Sequence, residues 1–335
     1  MTTGEPLRIG VLGAARISAD AIVAPAHELG ARLVTVAARD RSRAEAFAAE
    51  HGVERVVDGY QAVLDDPEVE VVYNPLANSL HGPWNLRAVE AGKHVLTEKP
   101  FAGNAAEARL VRDAAAAAGV HVVEAFHHVY HPLTARMLEL AGGGELGALQ
   151  YVEVRMLMPP PRADDLRWDA ALAGGGLMDV GCYAVRAVRD LAALRGGEPQ
   201  VVAARGGEHP AHPGVDAWLS AELQLPSGVP AHVESSMTHE DVDFSLRLVG
   251  SLGEAYAPEF VKPHLDDRVV VTTATGRRIE HLGTRPTYSY QLEALTALVH
   301  EGTPMRTDAA DSVVTMELID DLYRAAGMEP RIGPA

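Results

Sequence analysis

Between Leu7 and Phe126 short β-branched runs alternate with alanine-rich stretches of helical character. The strand candidates are Arg8–Leu12, Leu33–Ala38, Val69–Tyr73, His94–Thr97 and Val120–Glu124. Strands separated by helices are the mark of βαβ units, so this half of the chain predicts a parallel sheet. Two of the helices carry their own end signals: Asp40 precedes Arg41–His51 and Gly52 follows it, while Asn104 precedes Ala105–Ala118 and Gly119 follows. A short polar side chain accepts a bond from the first free amides of a helix, and glycine takes the turn that ends one.

After about His131 the rhythm changes. A long strand candidate, Leu149–Met158, runs into three prolines at 159–161, and a helix is expected from about Leu177 to Leu194. Strand candidates then follow one another without helices between them: Val201–Arg205, Trp218–Leu225, Val229–Ser235, Ser245–Gly250 and Arg268–Thr273. Such a run predicts a largely antiparallel sheet. Apolar and polar residues alternate along Trp218–Leu225, which predicts one face packed on helices and the other meeting a partner copy in a homodimer or homotetramer. Helical stretches near Gln291–Glu301 and Ala310–Ala326 close the chain.

With 335 residues the chain exceeds the size at which one core usually keeps growing, so two domains are expected. No apolar run approaches the roughly 20 residues that span a bilayer. The opening Met1–Arg8 lacks the basic and apolar regions of a secretory signal, which leads to the expectation of a cytoplasmic protein with no membrane partner. A formal charge of -17, with lysines and arginines scattered, offers no footprint for nucleic acid. The lone Cys182 forms no internal disulfide and fits a reducing compartment.

The first strand candidate runs into Gly10-Val-Leu-Gly13-Ala14-Ala15-Arg16-Ile17-Ser18 and then a helix, the place where a Rossmann fold sets a pyrophosphate on a helix N-terminus. Gly13 suits the tight turn, but Ala15 and Ser18 stand where G-x-G-x-x-G has its second and third glycines. The second strand ends in Ala37-Ala38-Arg39-Asp40. An acidic residue there would hold the ribose hydroxyl of NAD; Arg39 instead favours NADP(H) over NAD(H), with Asp40 spent on the helix cap. The alternative for Arg39 is a solvated surface charge.

Three further segments follow in order: Asn74-Pro75-Leu76-Ala-Asn78-Ser-Leu-His81, Glu98-Lys99-Pro100, and Gly174-Gly-Gly-Leu-Met-Asp179-Val-Gly-Cys-Tyr183. With Glu124-Ala-Phe126, His131-Pro132, Tyr288–Gln291 and the stretch from Asp311 to Gly327, they make nearly the whole chain resemble the glucose-fructose oxidoreductase, inositol dehydrogenase and rhizopine-catabolism (Gfo/Idh/MocA) family. The resemblance implies an α/β protein: an N-terminal NAD(P)-binding Rossmann domain over 1–126, and over 127–335 an α+β domain for substrate binding and oligomerisation, with a large, mostly antiparallel open sheet. It also implies a cofactor site built from Gly13, Ala14, Ala15, Arg16, Ile17, Arg39, Asn74, Pro75, Leu76, Asn78, His81, Glu98 and Lys99, with Lys99 catalytic beside the nicotinamide. Inositol dehydrogenase-like members place an aspartate and, four residues later, a histidine in the site. Here Asp179 matches the aspartate, and Tyr183 stands at the histidine position. That resembles the branch of dimeric dihydrodiol dehydrogenases, glucose-fructose oxidoreductase and nucleotide-sugar ketoreductases, where tyrosine is the acid or base. Val129 departs from the arginine that many relatives of this branch carry.

Hydride transfer at a carbinol carbon needs a group to take the hydroxyl proton or to return it to the carbonyl oxygen. A phenol, with an ordinary pKa of about 10, needs a cation nearby to act as base at neutral pH, and Lys99 is the candidate. Asp179 and Tyr183 are i and i+4, so on one helix they share a face. Asp179 then either orients Lys99 or binds a substrate hydroxyl; His131 and Arg167 are further substrate candidates. His81 either caps backbone groups or approaches the nicotinamide end, and Pro100 is a candidate for a cis bond. His127, His128 and His131 invite a metal reading, but no Cys or carboxylate set with zinc spacing accompanies them and a strand would point His127 and His128 to opposite faces, so no metal is expected. The expected activity is therefore an NADP-preferring dehydrogenase or reductase acting on CH–OH groups of a sugar, polyol or diol. A nucleotide-deoxysugar ketoreductase and a non-catalytic dinucleotide-binding regulator are the alternatives, and Lys99, Asp179 and Tyr183 speak against the last. The loops Pro159–Asp169 and Thr238–Asp243 are the candidates for selecting the substrate.

Overall fold

The alternating half of the chain forms a single parallel sheet in the computed structural model, which describes residues 5–332; Met1–Gly4, at the head of the segment read for a secretory signal, and the last three residues lie outside it. The elements are β1 (Arg8–Leu12), α1 (Ala24–Leu29), β2 (Arg32–Ala37), α2 (Arg41–His51), β3 (Arg55–Val56), α3 (Tyr60–Leu64), β4 (Val71–Asn74), α4 (Asn78–Glu90), β5 (His94–Thr97), α5 (Ala105–Ala118) and β6 (Val122–Glu124). The strand order is β3-β2-β1-β4-β5-β6, every pair parallel. The order reverses between β1 and β4, and in open sheets of this kind ligands bind beyond the strand ends at that point. Both end signals take effect as expected: Asp40 accepts a bond from the Ser42 amide at 2.9 Å and Asn104 from the Glu107 amide at 3.0 Å, and Gly52 and Gly119 close their helices.

The second half contributes α6 (Pro132–Gly142), β7 (Leu149–Leu157), α7 (Cys182–Ala193), then β8 (Gln200–His209), β9 (His212–Gln224), β10 (Pro230–Ser236), β11 (Asp243–Gly250), β12 (Gly253–Ala257), β13 (Arg268–Thr273) and β14 (Gly276–His281), and finally α8 (Thr287–Glu301) and α9 (Ala309–Ala325). Eight of these strands form one sheet in the order β14-β13-β12-β11-β7-β10-β9-β8. It is antiparallel except where β10 runs parallel to β7. The period of two sorts its side chains: Val152, Val154 and Met156 of β7 and Leu219, Ala221 and Leu223 of β9 are buried, and α7 packs on β7 and β10. Glu153, Arg155, Arg247, Glu254 and Tyr256 line the opposite face around a shallow concavity.

Several elements differ from expectation for identifiable reasons. His127–Tyr130 is a 3-10 turn rather than the end of a strand, because His131 starts a new helix and β6 stops at Glu124. The expected helix at 177 opens as a π-helical turn, Leu177–Gly181, before α7. β12 and β14 lack β-branched runs and exist through hairpin pairing. The edge strand β14 is charged, and Arg136 on α6 reaches its Glu280 at 2.7 Å, which suits an edge that must not pair further.

By internal contacts the chain divides into two units: residues up to Ala125 together with Tyr288–Val314, and Phe126–Thr287 together with Thr315–Ile332. Among the described residues no helix is long and apolar enough to cross a membrane.

Candidate active site

In the first unit the candidate residues gather at the carboxyl ends of the parallel strands. Gly13 follows β1 at φ +91°, a conformation that disfavours side chains, and its amide donates to the Ala37 carbonyl at 2.6 Å. A β-carbon there would also sit 3.2 Å from the end of the Leu76 side chain, a close approach that adds to the backbone preference for glycine. Ala14, Ala15, Arg16 and Ile17 complete the loop, with the Ser18 amide donating to the Ala15 carbonyl at 3.1 Å and a π-helical turn, Ala19–Val23, leading into α1. Arg39 lies exposed just beyond β2. Arg43, on the first turn of α2, donates to the Ala14 carbonyl at 3.0 Å. Both guanidinium charges act on Tyr60, whose phenol burial pushes up in pKa while those two cations pull it down. Arg43 and Tyr60 escaped the sequence reading; the signal for Arg43 was the run of basic residues at 39, 41 and 43.

The loops after β4 and β5 are tied together. Asn74 is buried, with its amide donating to Asn85 at 2.8 Å and to the His81 carbonyl at 3.3 Å, and its side-chain oxygen accepting from the Leu76 amide at 3.4 Å. Pro75 and Leu76 continue this turn, and Asn78 opens α4. The His81 ring is fully buried between two carbonyls, with Nδ1 2.6 Å from that of Pro100 and Nε2 2.9 Å from that of Leu76. Desolvation pushes this imidazole down to about 4, outweighing the two carbonyls that favour its charged form. His81 therefore joins two loops and exposes neither ring nitrogen. Glu98 accepts from the Tyr73 hydroxyl at 2.8 Å, and Glu124 accepts from the Phe101 amide at 2.8 Å. Between these two anchors lies Lys99, partly exposed, in a cis bond to Pro100.

In the second unit the positioning begins at Asp216, buried, which accepts from the Leu177 amide at 2.7 Å, from the Tyr323 hydroxyl at 2.8 Å and from Arg331. Burial raises the carboxyl's pKa, and the Arg331 charge opposes it. Gly175, at φ +135°, gives this carboxylate room, since a β-carbon there would lie 2.0 Å from it. The helical turn thus anchored carries Asp179 and leads directly to Tyr183. Arg167, in the 3-10 turn Leu166–Trp168, pairs through Nε with Asp179 at 2.7 Å and through Nη1 with Asp165 at 3.1 Å, so two of the substrate candidates are in direct contact. Tyr183 is nearly buried, its ring 5.5 Å from Phe126, 5.8 Å from His127 and 5.3 Å from His128. Its hydroxyl lies 3.1 Å from Nε2 of His127. His131, the remaining substrate candidate, caps α6 by accepting from the Leu133 amide at 3.1 Å; burial lowers its pKa. Among the described residues no group of three or more His, Cys, Asp or Glu is placed to hold a metal ion.

Residues 7–126 match the profile of an oxidoreductase family with an NAD-binding Rossmann fold, and residues 134–256 match the GFO/IDH/MocA C-terminal domain. The chain is 37% identical to D-xylose 1-dehydrogenase (NADP(+)) 2 of Haloferax volcanii, over 96% of its own length and 97% of that protein. It belongs to the GFO/IDH/MocA family. A second relative of the family, the dTDP-3,4-didehydro-2,6-dideoxy-alpha-D-glucose 3-reductase of Streptomyces violaceoruber, is 36% identical over 76% of this chain and 75% of that one. Among solved GFO/IDH/MocA structures, a 3-ketoreductase from Actinomadura kijaniata in complex with NADP and TDP-benzene superposes with a TM-score of 0.89, at 26% identity and covering 96% of this chain and 98% of that one.

Proposed function

We propose that this GFO/IDH/MocA protein is an NADP-preferring oxidoreductase that transfers hydride between the nicotinamide and a carbinol or carbonyl carbon of a sugar, polyol or diol. The observation that carries the reading is Lys99, an amine on a loop locked at both ends, at the carboxyl end of β5, the neighbour of the strand β4 at which the parallel sheet of a dinucleotide-binding family reverses. The residues present fit the cofactor: the turn at Gly13 has a φ of +91° that disfavours any side chain, and two arginines stand near it, Arg39 just beyond β2 and Arg43 on the first turn of α2. Gly13, Ala14, Ala15, Arg16 and Ile17 would hold the pyrophosphate, Arg39 with Arg43 the 2′-phosphate, and Asn74, Pro75, Leu76, Asn78 and Glu98 the nicotinamide half. His81 would serve by positioning the loops of Leu76 and Lys99. When bound, the cofactor supplies or accepts the hydride.

The chain's own residues then have to move one proton. In the reductive direction Tyr183 gives its phenolic proton to the carbonyl oxygen, and in the oxidative direction the phenolate takes the hydroxyl proton. The Lys99 ammonium favours that phenolate and holds the substrate oxygen. Asp179, held by Arg167, accepts from a neighbouring substrate hydroxyl, and His131 stays with the helix it caps. We read Tyr183, at the position where other members carry histidine, as the mark of the tyrosine branch of the family. The domain of residues 1–126 binds the cofactor, with 288–314 folded back onto it, and the remainder binds substrate and a second copy. The enzyme works in the cytoplasm, with small molecules as its substrates. Likeness to the dTDP-sugar reductases favours a nucleotide-linked deoxysugar ketone as the second substrate class.

The test is turnover of NADP+ or NADPH with D-xylose, other aldoses, polyols, a dihydrodiol and a dTDP-ketosugar. Lys99→Met and Tyr183→Phe should each cut kcat by about 10²- to 10⁴-fold, the usual worth of a positioned acid/base, with NADP affinity nearly unchanged. Because the two act on one proton, the double variant should be little worse than the poorer single one. Multiplicative losses would overturn the coupling. Tight NADP binding with no turnover of any substrate would favour a regulator.

A further inference from the structure

Behind the Tyr183 hydroxyl the structure continues. Nε2 of His127 lies 3.1 Å from it, and on the far side of the imidazole Nδ1 lies 2.6 Å from Oγ1 of Thr287. His127 is 1% and Thr287 0% exposed, so water does not compete for these bonds. The reaction described above uses neither residue. The titratable side chains packed against the phenol include His127 and His128, from the turn before α6, and Asp179 lies in the π-helical turn that leads into α7.

A neutral imidazole has one N–H, so the two bonds are not independent. With the proton on Nδ1, the ring donates to Thr287 and Nε2 can only accept, drawing the phenolic proton away from the substrate. With the Thr287 hydroxyl donating to Nδ1, the ring proton sits on Nε2 and points at the phenolic oxygen. The tyrosine's own proton is then left for the substrate.

We propose that Thr287 and His127 form a tautomer lock behind Tyr183: Thr287 donates to Nδ1, and His127 donates from Nε2 to the phenolic oxygen. The inference rests on the reading of Tyr183 as the proton carrier. In reduction the Tyr183 O–H bond breaks as the substrate O–H bond forms, while the hydride from reduced nicotinamide adds to the carbonyl carbon. The phenolate left behind keeps the His127 bond; oxidation runs the same steps backwards. His127 keeps its own proton throughout and is a positioning residue.

Nitrogen-15 NMR of the wild-type holoenzyme should show His127 as the Nε2–H tautomer; the Nδ1–H tautomer would overturn the lock without reference to turnover. His127→Phe should lower kcat with D-xylose about 10- to 100-fold, the scale of a hydrogen bond to a charged group, and move the tyrosine limb of the pH profile upward while NADP+ affinity holds. His127→Gln, whose amide N–H can replace the donor, should recover most of the loss. Thr287→Val should fall and Thr287→Ser should stay near wild type, which keeps the test open should His127→Phe fold poorly. A His127→Phe profile superimposable on wild type, or a glutamine variant no better than phenylalanine, would overturn the proposal. Tyr183→Phe separates the two readings. Normal turnover there removes Tyr183 from the mechanism and the lock with it, whereas an inactive Tyr183→Phe beside a normal His127→Phe removes the lock alone.

Discussion

A 2′-phosphate is present only in NADP, so a guanidinium that grips it selects between cofactors rather than anchoring both. Arg39→Ala is therefore expected to weaken NADP by about 10- to 100-fold, the loss of one charge-assisted bond, with little change for NAD. Fluorescence titration of both cofactors checks this, and equal weakening would overturn the assignment. Arg43→Ala should weaken NADP too, with some loss for NAD, because Arg43 also supports the Ala14 carbonyl in the loop after β1. Single residues divided sharply in how readable they were. The position of Arg39 could be read because it is set by the end of one strand. His127 could not, since its partner Thr287 lies 160 positions away and no local pattern links them. The histidines at 127, 128 and 131 invited a metal reading that the lack of zinc-spaced Cys or carboxylates set aside, and a strand there would have pointed His127 and His128 to opposite faces. The 3-10 turn instead turns both rings toward Tyr183.

At the scale of elements, local signals succeeded where the chemistry is local. Both helices with a polar cap and a closing glycine begin and end as the caps dictate. Strands held only by their neighbours, such as β12 and β14, gave no signal of their own, because pairing rather than composition makes them strands. His81 shows how one element can depend on another: it joins the head of α4 to the loop after β5 through two carbonyls. Its imidazole has an ordinary value of 6.5 when unfolded and about 4 when folded, so over that window the unfolded chain takes up a proton that the folded one refuses. The folded state is thus fully favoured above pH 6.5 and loses about 3 kcal/mol as pH falls to 4. Urea unfolding across this window should show wild type losing more stability on acidification than His81→Gln. Parallel losses, or a smaller one in wild type, would mean that the two carbonyls outweigh burial and hold the ring charged.

For the molecule as a whole, the eight-stranded sheet poses a question of coverage. An antiparallel sheet can leave one face to water, so bareness alone does not demand a partner. This face, however, presents Trp218 at 38% and Tyr256 at 37% exposure among paired charges, including Arg155 with Glu234 at 3.3 Å and with Asp243 at 3.1 Å. Aromatic residues among arginines are what association surfaces favour, whereas a sheet face selected for water alone would carry few large rings. The formal charge of -17 sets two copies against each other at long range, so association has to come from close contact on a face where arginines offset acids. We therefore expect a homodimer, or a tetramer built from it, through this face. Light scattering at micromolar concentration should give at least twice the chain mass, and Trp218→Glu with Tyr256→Asp should shift it toward the single chain while circular dichroism stays unchanged. A strict monomer in the wild type would refute the interface. A double variant that keeps the wild-type mass would move the interface to another surface.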